Sequence, residues 1–566
     1  MKKVLTYIKP YTMRMLFGLT IKILGTLMDL GLPWILAYIL DDVIPYKKIS
    51  LILWWGVAMA LLSVGARTFN ISANRMASKV ARDVVENLRH DLFAKIQSLS
   101  GAQLDCFTVP SLEARMTTDT YNIHQMIGMV QRIGVRAPIL LLGGTIITST
   151  LEPVLTLVLA GVLPILGIVV FLVSRKGIPL YTDLQLSIDR MVRVVRENIS
   201  GVRVIKALSK TSYEKERFSE VNREVSDKEQ KAGLIMAITN PVMNFLLNLG
   251  LTLVVVLGAF RVNLGITEPG KIVAFLSYFT IMLHAVMAIN RIFVVCSKAI
   301  ASAVRIEEVL EAPEDLGEVP IAAAETWNHI EFDHVSFSYS EEPCITDISF
   351  SLKKGESLGI IGSTGSGKTT LINLLMRFYD VKEGSIRIDG QDVRSFPKKE
   401  LRRKFGVVFQ NDVLFADTIA ENIRLGREIP DETLWEAAKH AQAASFLDQL
   451  DDTLGFKLAI KGSNLSGGQK QRLLITRALA GKPEILILDD SSSALDYKTD
   501  ANLRKAIHGN YEGTTAIIIA QRISSVRKLD HILVIEDGQM AGYGTHEELL
   551  KNSEVYQEIY QSQTMA

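Results

Sequence analysis

The first 300 residues contain six apolar runs, and each is about long enough to cross a lipid bilayer. A spanning helix needs about 20 mostly apolar residues. Beyond about residue 328 the composition becomes that of an ordinary soluble domain. The sequence therefore predicts a helical membrane domain followed by a soluble one. The six runs lie near 16–40, 51–71, 133–150, 153–174, 237–260 and 272–296.

Basic residues in the connections between the runs predict their orientation. The segment 175–234 contains thirteen Lys or Arg and the segment 72–123 contains six, whereas the other three connections contain at most two each. Basic loops stay on the cytoplasmic side, so both long connections and both termini are expected inside. Loops of this length without structure are uncommon. We therefore expect helices that continue into the cytoplasm and turn near 117–123 and 197–208.

The first 15 residues are basic and partly apolar, and they contain no small-residue cleavage site. This pattern predicts an amphipathic helix on the inner membrane face rather than a signal peptide. The net charge of +1, from 62 basic and 61 acidic residues, gives no indication of nucleic-acid binding. Three cysteines without paired spacing are typical of a reducing environment and do not predict a metal cluster.

Charged residues within the apolar runs have two interpretations. Lys22 and Asp29 are seven residues apart, so they share a helix face but lie about 10 Å apart along it, too far for a direct ion pair. Lys22 could extend to the membrane interface or take part in transport. For Arg132, Arg136 and Arg291 the alternatives are a water-filled cavity and a cytoplasmic extension of the helix.

The string GSTGSGKT fits the phosphate-loop pattern, and it stands between an apolar strand, SLGII, and an apolar helix, TLINLLMRF. In this context backbone N–H groups surround the phosphates, Lys368 contacts the outer phosphates and the Thr369 hydroxyl binds Mg²⁺. The predicted ATP-binding residues of the loop are Gly362, Ser363, Thr364, Gly365, Ser366, Gly367, Lys368, Thr369 and Thr370.

Two adjacent carboxylates end a second apolar strand, ILILDD, some 120 residues later. The carboxyl end of such a strand is where an α/β protein places its site. Asp489 is the predicted Mg²⁺ ligand, and Asp490 the predicted catalytic base. Between loop and strand, the string LSGGQ precedes a helix whose N-terminus could bind an anion.

The order and spacing of the phosphate loop, LSGGQ, ILILDD and SALD resemble the ATP-binding cassette of an ABC transporter. The chain as a whole resembles an exporter-type half-transporter. The fold implied is an all-α membrane domain of six helices with long cytoplasmic extensions, followed by an α/β P-loop NTPase domain. The bounds implied are an amphipathic helix over 1–15, a transmembrane domain over 16–310, a linker over 311–328 and a cassette over 329–566.

The resemblance also implies roles for residues outside the loop. Tyr339 would stack on adenine, Gln410 would contact Mg²⁺ and sense the membrane domain, and Asp496 would lie at a cassette–cassette contact. Cassettes of this family pair head to tail, so one chain's signature completes the ATP site of the other chain. The signature residues here are Leu465, Ser466, Gly467, Gly468 and Gln469.

Two positions depart from the family pattern. Asp490 stands where the family has Glu, and Gln521 stands where it has His. The shorter acid and the missing imidazole predict that this chain's own site binds Mg-ATP but hydrolyses it slowly. The intact signature would then serve a competent site on a different half-transporter, as in heterodimeric bacterial exporters.

The function expected from these features is ATP-driven export of small amphiphilic compounds, drugs or lipids, across a bacterial cytoplasmic membrane. The implied cofactors are ATP and Mg²⁺, the implied partners are a second half-transporter and membrane lipid, and no nucleic acid is expected. A homodimeric exporter or flippase with a slow ATPase is one alternative. An ATP-gated channel or regulatory subunit is another.

Overall fold

The computed structural model describes residues 2–325, 327–491 and 494–564. Internal contacts divide the chain into two compact units. The first comprises Met1–Ser98 and Pro110–Ala312, and all of its regular structure is helical. The second comprises Leu99–Val109 and Pro313–Ala566, and it combines helices with two sheets. This confirms the predicted fold class of a helical membrane domain followed by an α/β domain.

Eleven described helices belong wholly or mainly to the first unit, which we call the membrane unit. Three π-helical segments, Ile39–Val43, Arg115–Asp119 and Val130–Gly134, connect some of them. The helices are α1 Lys2–Ile8, α2 Thr12–Tyr38, α3 Ile49–Ser98, α5 Val109–Ala114, α6 Thr120–Met129, α7 Arg136–Leu151, α8 Pro153–Ser200, α9 Val202–Ala207, α10 Thr211–Ala237, α11 Thr239–Asn263 and α12 Pro269–Leu310. The label α4 is kept for Gly101–Phe107 in the second unit.

Among the described residues, six helical stretches are long and apolar enough to cross a membrane, as the sequence predicts. Several continue well beyond a bilayer's thickness: α3 has 50 residues and α8 has 48, or roughly 75 and 72 Å at 1.5 Å per residue. The predicted helical extensions are therefore confirmed. The fifth predicted span begins slightly too early, because Ala237 ends α10 and α11 starts at Thr239.

The first predicted turn, 117–123, is wrong, whereas the second is confirmed. Residues 117–123 continue a helical path through the π segment Arg115–Asp119 into α6. The chain turns instead after Ser98, where Ser100 and Gln103 form a reciprocal capping box that starts α4. This capping box begins a new helix, and its sequence pattern S-x-x-Q could have indicated where the chain turns. At the second turn α8 ends at Ser200 and short α9 follows.

Charged residues within the membrane unit are held by neighbouring helices. The Lys22 ammonium donates to Asn74 Oδ1 at 3.0 Å, and Lys22 is only 3% exposed. It therefore does not extend to an interface. Asp29 accepts hydrogen bonds from Arg136 at 3.0 Å and from Asn70 at 3.2 Å. These contacts join α2 to α3 and α7, and the expectation that Lys22 and Asp29 do not pair directly is confirmed.

Arg132 and Arg291 also lie in or beside the apolar runs, and their environments differ. Arg132 Nε donates to the Gly128 carbonyl at 2.9 Å, one turn earlier along the same helical path. Arg291 is exposed on α12. Neither observation assigns a transport role to these residues.

The second unit, which we call the cassette unit, contains two sheets. A four-stranded antiparallel sheet has the order β2-β1-β4-β5, and a six-stranded sheet has the order β10-β9-β3-β8-β7-β6. In the larger sheet β9, β3, β8, β7 and β6 are parallel, and β10 is antiparallel to β9. The strands are β1 Ile330–Phe337, β2 Ile345–Leu352, β3 Ser357–Gly362, β4 Glu383–Ile388, β5 Gln391–Asp392, β6 Phe405–Val408, β7 Ile485–Asp489, β8 Thr515–Ile519, β9 His531–Glu536 and β10 Gln539–Gly544.

The helices of the cassette unit cover both sheets. Besides α4 they are α13 Lys368–Leu375, α14 Lys398–Arg403, α15 Ile419–Arg424, α16 Asp431–His440, α17 Ala444–Leu447, α18 Gly467–Ala480, α19 Tyr497–Asn510, α20 Ile523–Val526, α21 His546–Asn552 and α22 Glu554–Thr564. Strands β7 and β8 are buried at every position, as expected for parallel strands covered on both faces. Because the strands are parallel, β3, β7 and β8 all end at the same edge of the sheet.

A buried guanidinium joins several parts of the cassette unit. Arg377 is 1% exposed, and it donates to both carboxylate oxygens of Asp380, at 2.8 and 3.3 Å. It also donates to the carbonyl oxygens of Arg394, at 3.0 Å, and Gly317, at 2.6 Å. One side chain thus holds the segment before β1, the segment after β5 and the turn after α13.

Arg377→Met should lower the free energy of unfolding by about 3–5 kcal/mol, because it leaves a partly buried carboxylate and two carbonyls without their donor. For a unit of this size that corresponds to a fall in melting temperature of roughly 6–20 °C, measurable on detergent-solubilised protein. Arg387→Met removes an arginine whose ion pair with Glu331 is looser, at 3.7 Å, and should cost about 1 kcal/mol or less. Equal melting temperatures for the two variants would contradict this role of Arg377.

Candidate nucleotide site

The phosphate loop begins at a point where two backbones approach too closely for any side chain. Gly362 ends β3, and a Cβ atom there would lie 2.1 Å from the carbonyl oxygen of Ile535 on β9. At the other end of the loop, Gly367 has φ +99°, a left-handed conformation that glycine adopts without strain, and it caps α13. These two glycines define how the loop leaves the sheet and enters the helix.

Lys368 folds back into the loop. Its ammonium donates to the carbonyl oxygens of Gly362 at 3.0 Å and Ser363 at 2.5 Å. Burial lowers the pKa of Lys368 below its ordinary value, while the nearby carboxylates of Asp489 and Asp490 act in the opposite direction. The loop therefore holds one cation against its carbonyl oxygens, and the charge of that cation is suited to phosphate.

The predicted metal-binding side chains meet at the edge of the larger sheet. Asp489, the last residue of β7, is 2% exposed and accepts a hydrogen bond from the Thr369 hydroxyl at 2.9 Å. Burial raises the pKa of the Asp489 carboxyl, and the Thr369 hydrogen bond opposes that shift. Gln410 follows β6 and lines the same cavity of about 180 Å³. An amide, a hydroxyl and a carboxylate are oxygen ligands, which fit Mg²⁺ completed by water and phosphate.

Asp490 and Gln521 are brought together at the rim of this cavity. Gln521 Nε2 donates to Asp490 Oδ2 at 3.3 Å, and both residues line the cavity. The Asp490 backbone is left-handed, with φ +46°, and its N–H donates to the Ile519 carbonyl at 3.0 Å. Burial raises the pKa of the Asp490 carboxyl, whereas Lys368 and Arg522 favour its ionised form.

Most of the predicted loop residues line the cavity, but some predicted site residues do not. Its lining includes Thr364, Gly365, Gly367, Lys368, Thr369 and Thr370. The remaining loop residues Gly362, Ser363 and Ser366 lie in the turn that encloses the Lys368 ammonium. Cys344 and Ile519 also line the cavity and were missed. Cys344 lies just before β2, 3.5 Å from the Thr370 hydroxyl, and no motif marks it in the sequence.

Tyr339 lies beside the loop rather than in the cavity lining. Its hydroxyl donates to Thr370 Oγ1 at 3.3 Å, and the side chain is half exposed. Its ring meets those of Phe337 and Tyr379 edge on, with centroids 4.9 and 5.1 Å apart. One ring face is thus available next to the loop, and the adenine-stacking role stays a prediction.

The signature segment lies at a separate helix start. Ser466 caps α18 by accepting from the Gln469 N–H through its side chain, and the Ser466 N–H donates in turn to Gln469 Oε1. Among the described residues, a Cβ added to Gly467 would meet nothing within 4 Å, and one added to Gly468 would lie 3.3 Å from the Ala494 carbonyl oxygen. The surface over Gly467 is therefore open toward the described part of the chain. Leu465 is buried beneath the segment.

Asp496 acts as a helix cap in this chain. Its carboxylate accepts from the Thr499 N–H at 3.0 Å and from the Thr499 hydroxyl at 2.6 Å, at the start of α19. These bonds hold the pKa of Asp496 below its ordinary value. The predicted cassette–cassette contact of Asp496 stays a prediction.

A phosphate loop, a buried acidic strand end and a capped signature helix on this sheet define an ATP-binding cassette, here fused to a membrane unit with six candidate spans. Residues 15–286 match the ABC transporter transmembrane region, and residues 345–493 match the family described as ABC transporter. The chain belongs to the ABC transporter family. It is an exporter-type half-transporter, a multi-pass membrane protein whose ATPase cassette is cytoplasmic.

Curated relatives match along nearly the whole chain. It is 36% identical over 566 residues to the uncharacterized ABC transporter ATP-binding protein YfiB of Bacillus subtilis (strain 168), covering 100% of this chain and 98% of that one. It is 33% identical over 493 residues to an ATP-dependent lipid A-core flippase of Methylobacillus flagellatus, covering 86% and 83%. A solved structure of a bacterial Atm1-family ABC exporter with ATP bound has the same fold, with a TM-score of 0.82, 24% identity and 98% coverage of both chains.

Gly362→Ala should weaken Mg-ATP binding by about a hundredfold or more, because the new Cβ meets a backbone carbonyl that cannot move without displacing β9. Equilibrium binding of a fluorescent ATP analogue to the purified protein measures the effect. Gly509→Ala, on α19 with nothing within 4 Å of its Cβ, is the matched control and should bind as the parent does. Unchanged affinity in Gly362→Ala would contradict the importance of this close approach.

Proposed function

We propose that this chain is one subunit of a heterodimeric ABC exporter, that its own site holds Mg-ATP and hydrolyses it slowly, and that its signature completes a competent site on a different chain. Export coupled to ATP hydrolysis follows from the family, and ABC exporters function as dimers. The observation that carries the finer proposal is Asp490 at the end of β7, hydrogen-bonded to Gln521.

The length of the Asp490 side chain is the main physical argument. Asp has one methylene fewer than Glu, which withdraws the carboxylate by about 1.3 Å. A misplacement near 1 Å can lower a rate about a hundredfold, or roughly 2.7 kcal/mol of barrier. The ordinary pKa values of Asp and Glu differ by only about 0.4. Position therefore matters more than basicity at this site.

Gln521 adds a second deficit. An amide can donate a hydrogen bond to a phosphate, but it has no titratable proton and no positive charge. Here the amide donates to Asp490 Oδ2 and so holds the short carboxylate at the rim of the cavity. When bound beside Thr369 and Asp489, Mg²⁺ would neutralise phosphate charge. Nucleotide binding by Lys368 and the loop needs neither Asp490 nor Gln521.

The signature of this chain supports the other half of the proposal. Ser466, Gly467 and Gln469 form a regular capped helix start, and the surface over Gly467 is open. Helix α18 has 14 residues, and its uncrowded N-terminus is suited to a phosphate group of the ATP that another chain holds. Asp490 and Gln521, the two departures from the family pattern, thus both affect this chain's own nucleotide site. The signature keeps the residues that the site on the other chain requires.

For the transported compound we propose an amphiphile, a drug or a lipid. The flippase relatives are named for lipid A-core, which favours the lipid. Four polar residues of the membrane unit, Tyr278, Gln131, Asn244 and Asn248, could contact such a compound. Tyr278 is buried and donates to the Leu30 carbonyl at 2.6 Å, and Gln131 donates to the Ile127 carbonyl one turn earlier. Asn244 and Asn248 on exposed faces of α11 remain as candidates.

A homodimeric flippase with a slow ATPase is the second candidate, and the flippase relatives favour it. The two candidates differ in what the chain does alone. A homodimer made of this chain should hydrolyse ATP in the steady state, whereas a heterodimer subunit should need its co-expressed partner. An ATP-gated channel, the third possibility raised by the sequence, would conduct ions instead of accumulating a compound in vesicles.

Asp490→Glu combined with Gln521→His should raise the ATPase rate of this chain's own site by about a hundredfold, because the longer acid recovers the lost reach and the imidazole is restored. Steady-state phosphate release by the purified complex measures it. Asp490→Asn with Gln521→His is the matched control and should show no gain. No increase in the Glu and His variant would contradict the geometric argument.

Gly467→Asp should abolish turnover at the site to which this signature contributes, because it places a carboxylate against phosphate. ATP should still bind to the phosphate loop of the variant chain, as photocrosslinking of a labelled ATP analogue would show. Gly467→Ala, for which the position has room, should retain turnover. Full turnover in Gly467→Asp would exclude a role of the signature across the dimer.

A further inference from the structure

A second cavity of the cassette unit is lined almost entirely by cations. It has a volume of about 730 Å³, and its described lining consists of five basic residues together with Phe405 and Gly481. The five basic residues are Lys398, Lys399, Arg402, Arg403 and Arg427. No acidic side chain is among the described lining residues. We call it the basic cavity.

The basic cavity lies at the opposite end of the larger sheet from the nucleotide site. Phe405 is the first residue of β6, and it pairs with Ile485, the first residue of β7. The nucleotide cavity lies where β7 ends, at Asp489. The linings of the two cavities have no residue in common. The basic cavity is therefore a separate site from the one already described.

The five cations have no carboxylate partners. Within the part of the chain that the structure describes, none of them forms a salt bridge, although basic residues next to them in the sequence do. Lys404 pairs with Glu484 at 2.7 Å, Arg424 pairs with Asp431, and Lys482 pairs with Glu436 at 3.8 Å. Glu484, Asp431 and Glu436 are thus engaged by other basic residues. Glu400 and Glu428 lie beside the five cations in the sequence but form no salt bridge with them among the described residues.

Arg427 is held firmly at the wall of this cavity. Its Nε donates to the Arg424 carbonyl at 3.0 Å, and its Nη2 donates to the carbonyls of Ile423 at 2.7 Å and Arg477 at 2.8 Å. Its Nη1 lies 2.6 Å from where a Cβ of Gly481 would be, so only glycine leaves room for it there. Three backbone carbonyls fix the guanidinium without cancelling its charge.

Arg402 is also oriented by its surroundings. Its guanidinium lies over the ring of Phe378, 5.2 Å from the centroid, which restrains the side chain while leaving it charged. Planar guanidinium groups fixed in this way present paired N–H donors that match phosphate oxygens. Lys398, Lys399 and Arg403 add three further positive charges to the two fixed ones.

We propose that the basic cavity binds a small anion bearing two or more phosphate groups. Five uncompensated positive charges exceed what one phosphate needs, and the volume falls in the range of small-molecule sites, about 300–1,000 Å³. The anion can be a soluble polyphosphate compound or the phosphate headgroup of a lipid. This inference does not depend on the proposed heterodimer, because it uses none of the residues of the nucleotide site.

Isothermal titration with sodium tripolyphosphate tests the soluble source. The full-length protein is placed in phosphatidylcholine nanodiscs with Mg²⁺ and a slowly hydrolysed ATP analogue. The analogue is added at the lowest concentration that fills the phosphate loop, because a higher concentration of this triphosphate would also compete for the basic cavity. Lys399→Gln with Arg403→Gln removes two charges from exposed side chains and should weaken tripolyphosphate binding at least about tenfold. Binding should also weaken as the salt concentration rises.

Lys505→Gln with Lys551→Gln removes two exposed charges elsewhere on the cassette unit and serves as the control. It should change the affinity by less than about twofold, and both double variants should bind the ATP analogue as the parent does, which verifies their folding. Arg427→Gln gives a second test at a fixed position and should weaken tripolyphosphate binding by at least a similar factor.

Native mass spectrometry of detergent-solubilised protein with cardiolipin, a lipid whose headgroup bears two phosphate groups, tests the lipid source. Retention of this lipid by the parent and by the control, but not by Lys399→Gln with Arg403→Gln, would identify a headgroup as the ligand. Tripolyphosphate binding lost in the same variant would identify a soluble anion. If neither probe distinguishes the cavity variant from the control, the five residues form only a solvated basic surface and the proposal is wrong.

Discussion

The close approach of Gly362 to the carbonyl of Ile535 is the constraint from which the nucleotide site follows. Because β3 lies between β8 and β9, the chain can leave β3 at that point only as a glycine turn. The turn encloses the Lys368 ammonium, and α13 then starts at once. That start places the Thr369 hydroxyl against Asp489 on β7. A displacement of one backbone contact would therefore move every group that is expected to contact phosphate or metal.

Local features of this molecule could be predicted from the sequence, and features made by distant residues could not. Each of three features is continuous in the chain: the phosphate loop, the acidic strand end and the signature helix. A few neighbouring residues therefore determine the geometry of each. The six spans are predictable for the same reason, since each depends on a continuous apolar stretch of the chain. Gln521 was marked as unusual by its position in a motif. Its hydrogen bond to Asp490, which joins the ends of β7 and β8, needed the fold.

The misplaced turn and the missed cavity residues have a similar explanation. Residues 117–123 contain threonines, an aspartate and an asparagine, which favour turns, but the helical path continues because Asp119 accepts from Ser302 and Arg305 of α12. Tertiary contacts override the local preference. Cys344 reaches the nucleotide cavity only because β2 lies beside the loop. The basic cavity could not be predicted either, since its residues come from separate parts of the chain, among them α14, the segment after α15 and the residue that follows α18.

The cassette unit includes the short helix α4, which comes from the N-terminal half of the chain. It comes from residues far from the rest of that unit, yet Ser100 donates to Asp315 at 2.5 Å, and the Tyr379 hydroxyl donates to Asp105 at 2.7 Å. The Gly101 N–H donates to the Phe378 carbonyl as well. A fragment that began at Pro313 would lack all three partners and would expose the surface they cover. Recombinant work on an isolated nucleotide-binding fragment would thus study an incomplete folding unit, unless residues 99–109 were supplied as a separate peptide.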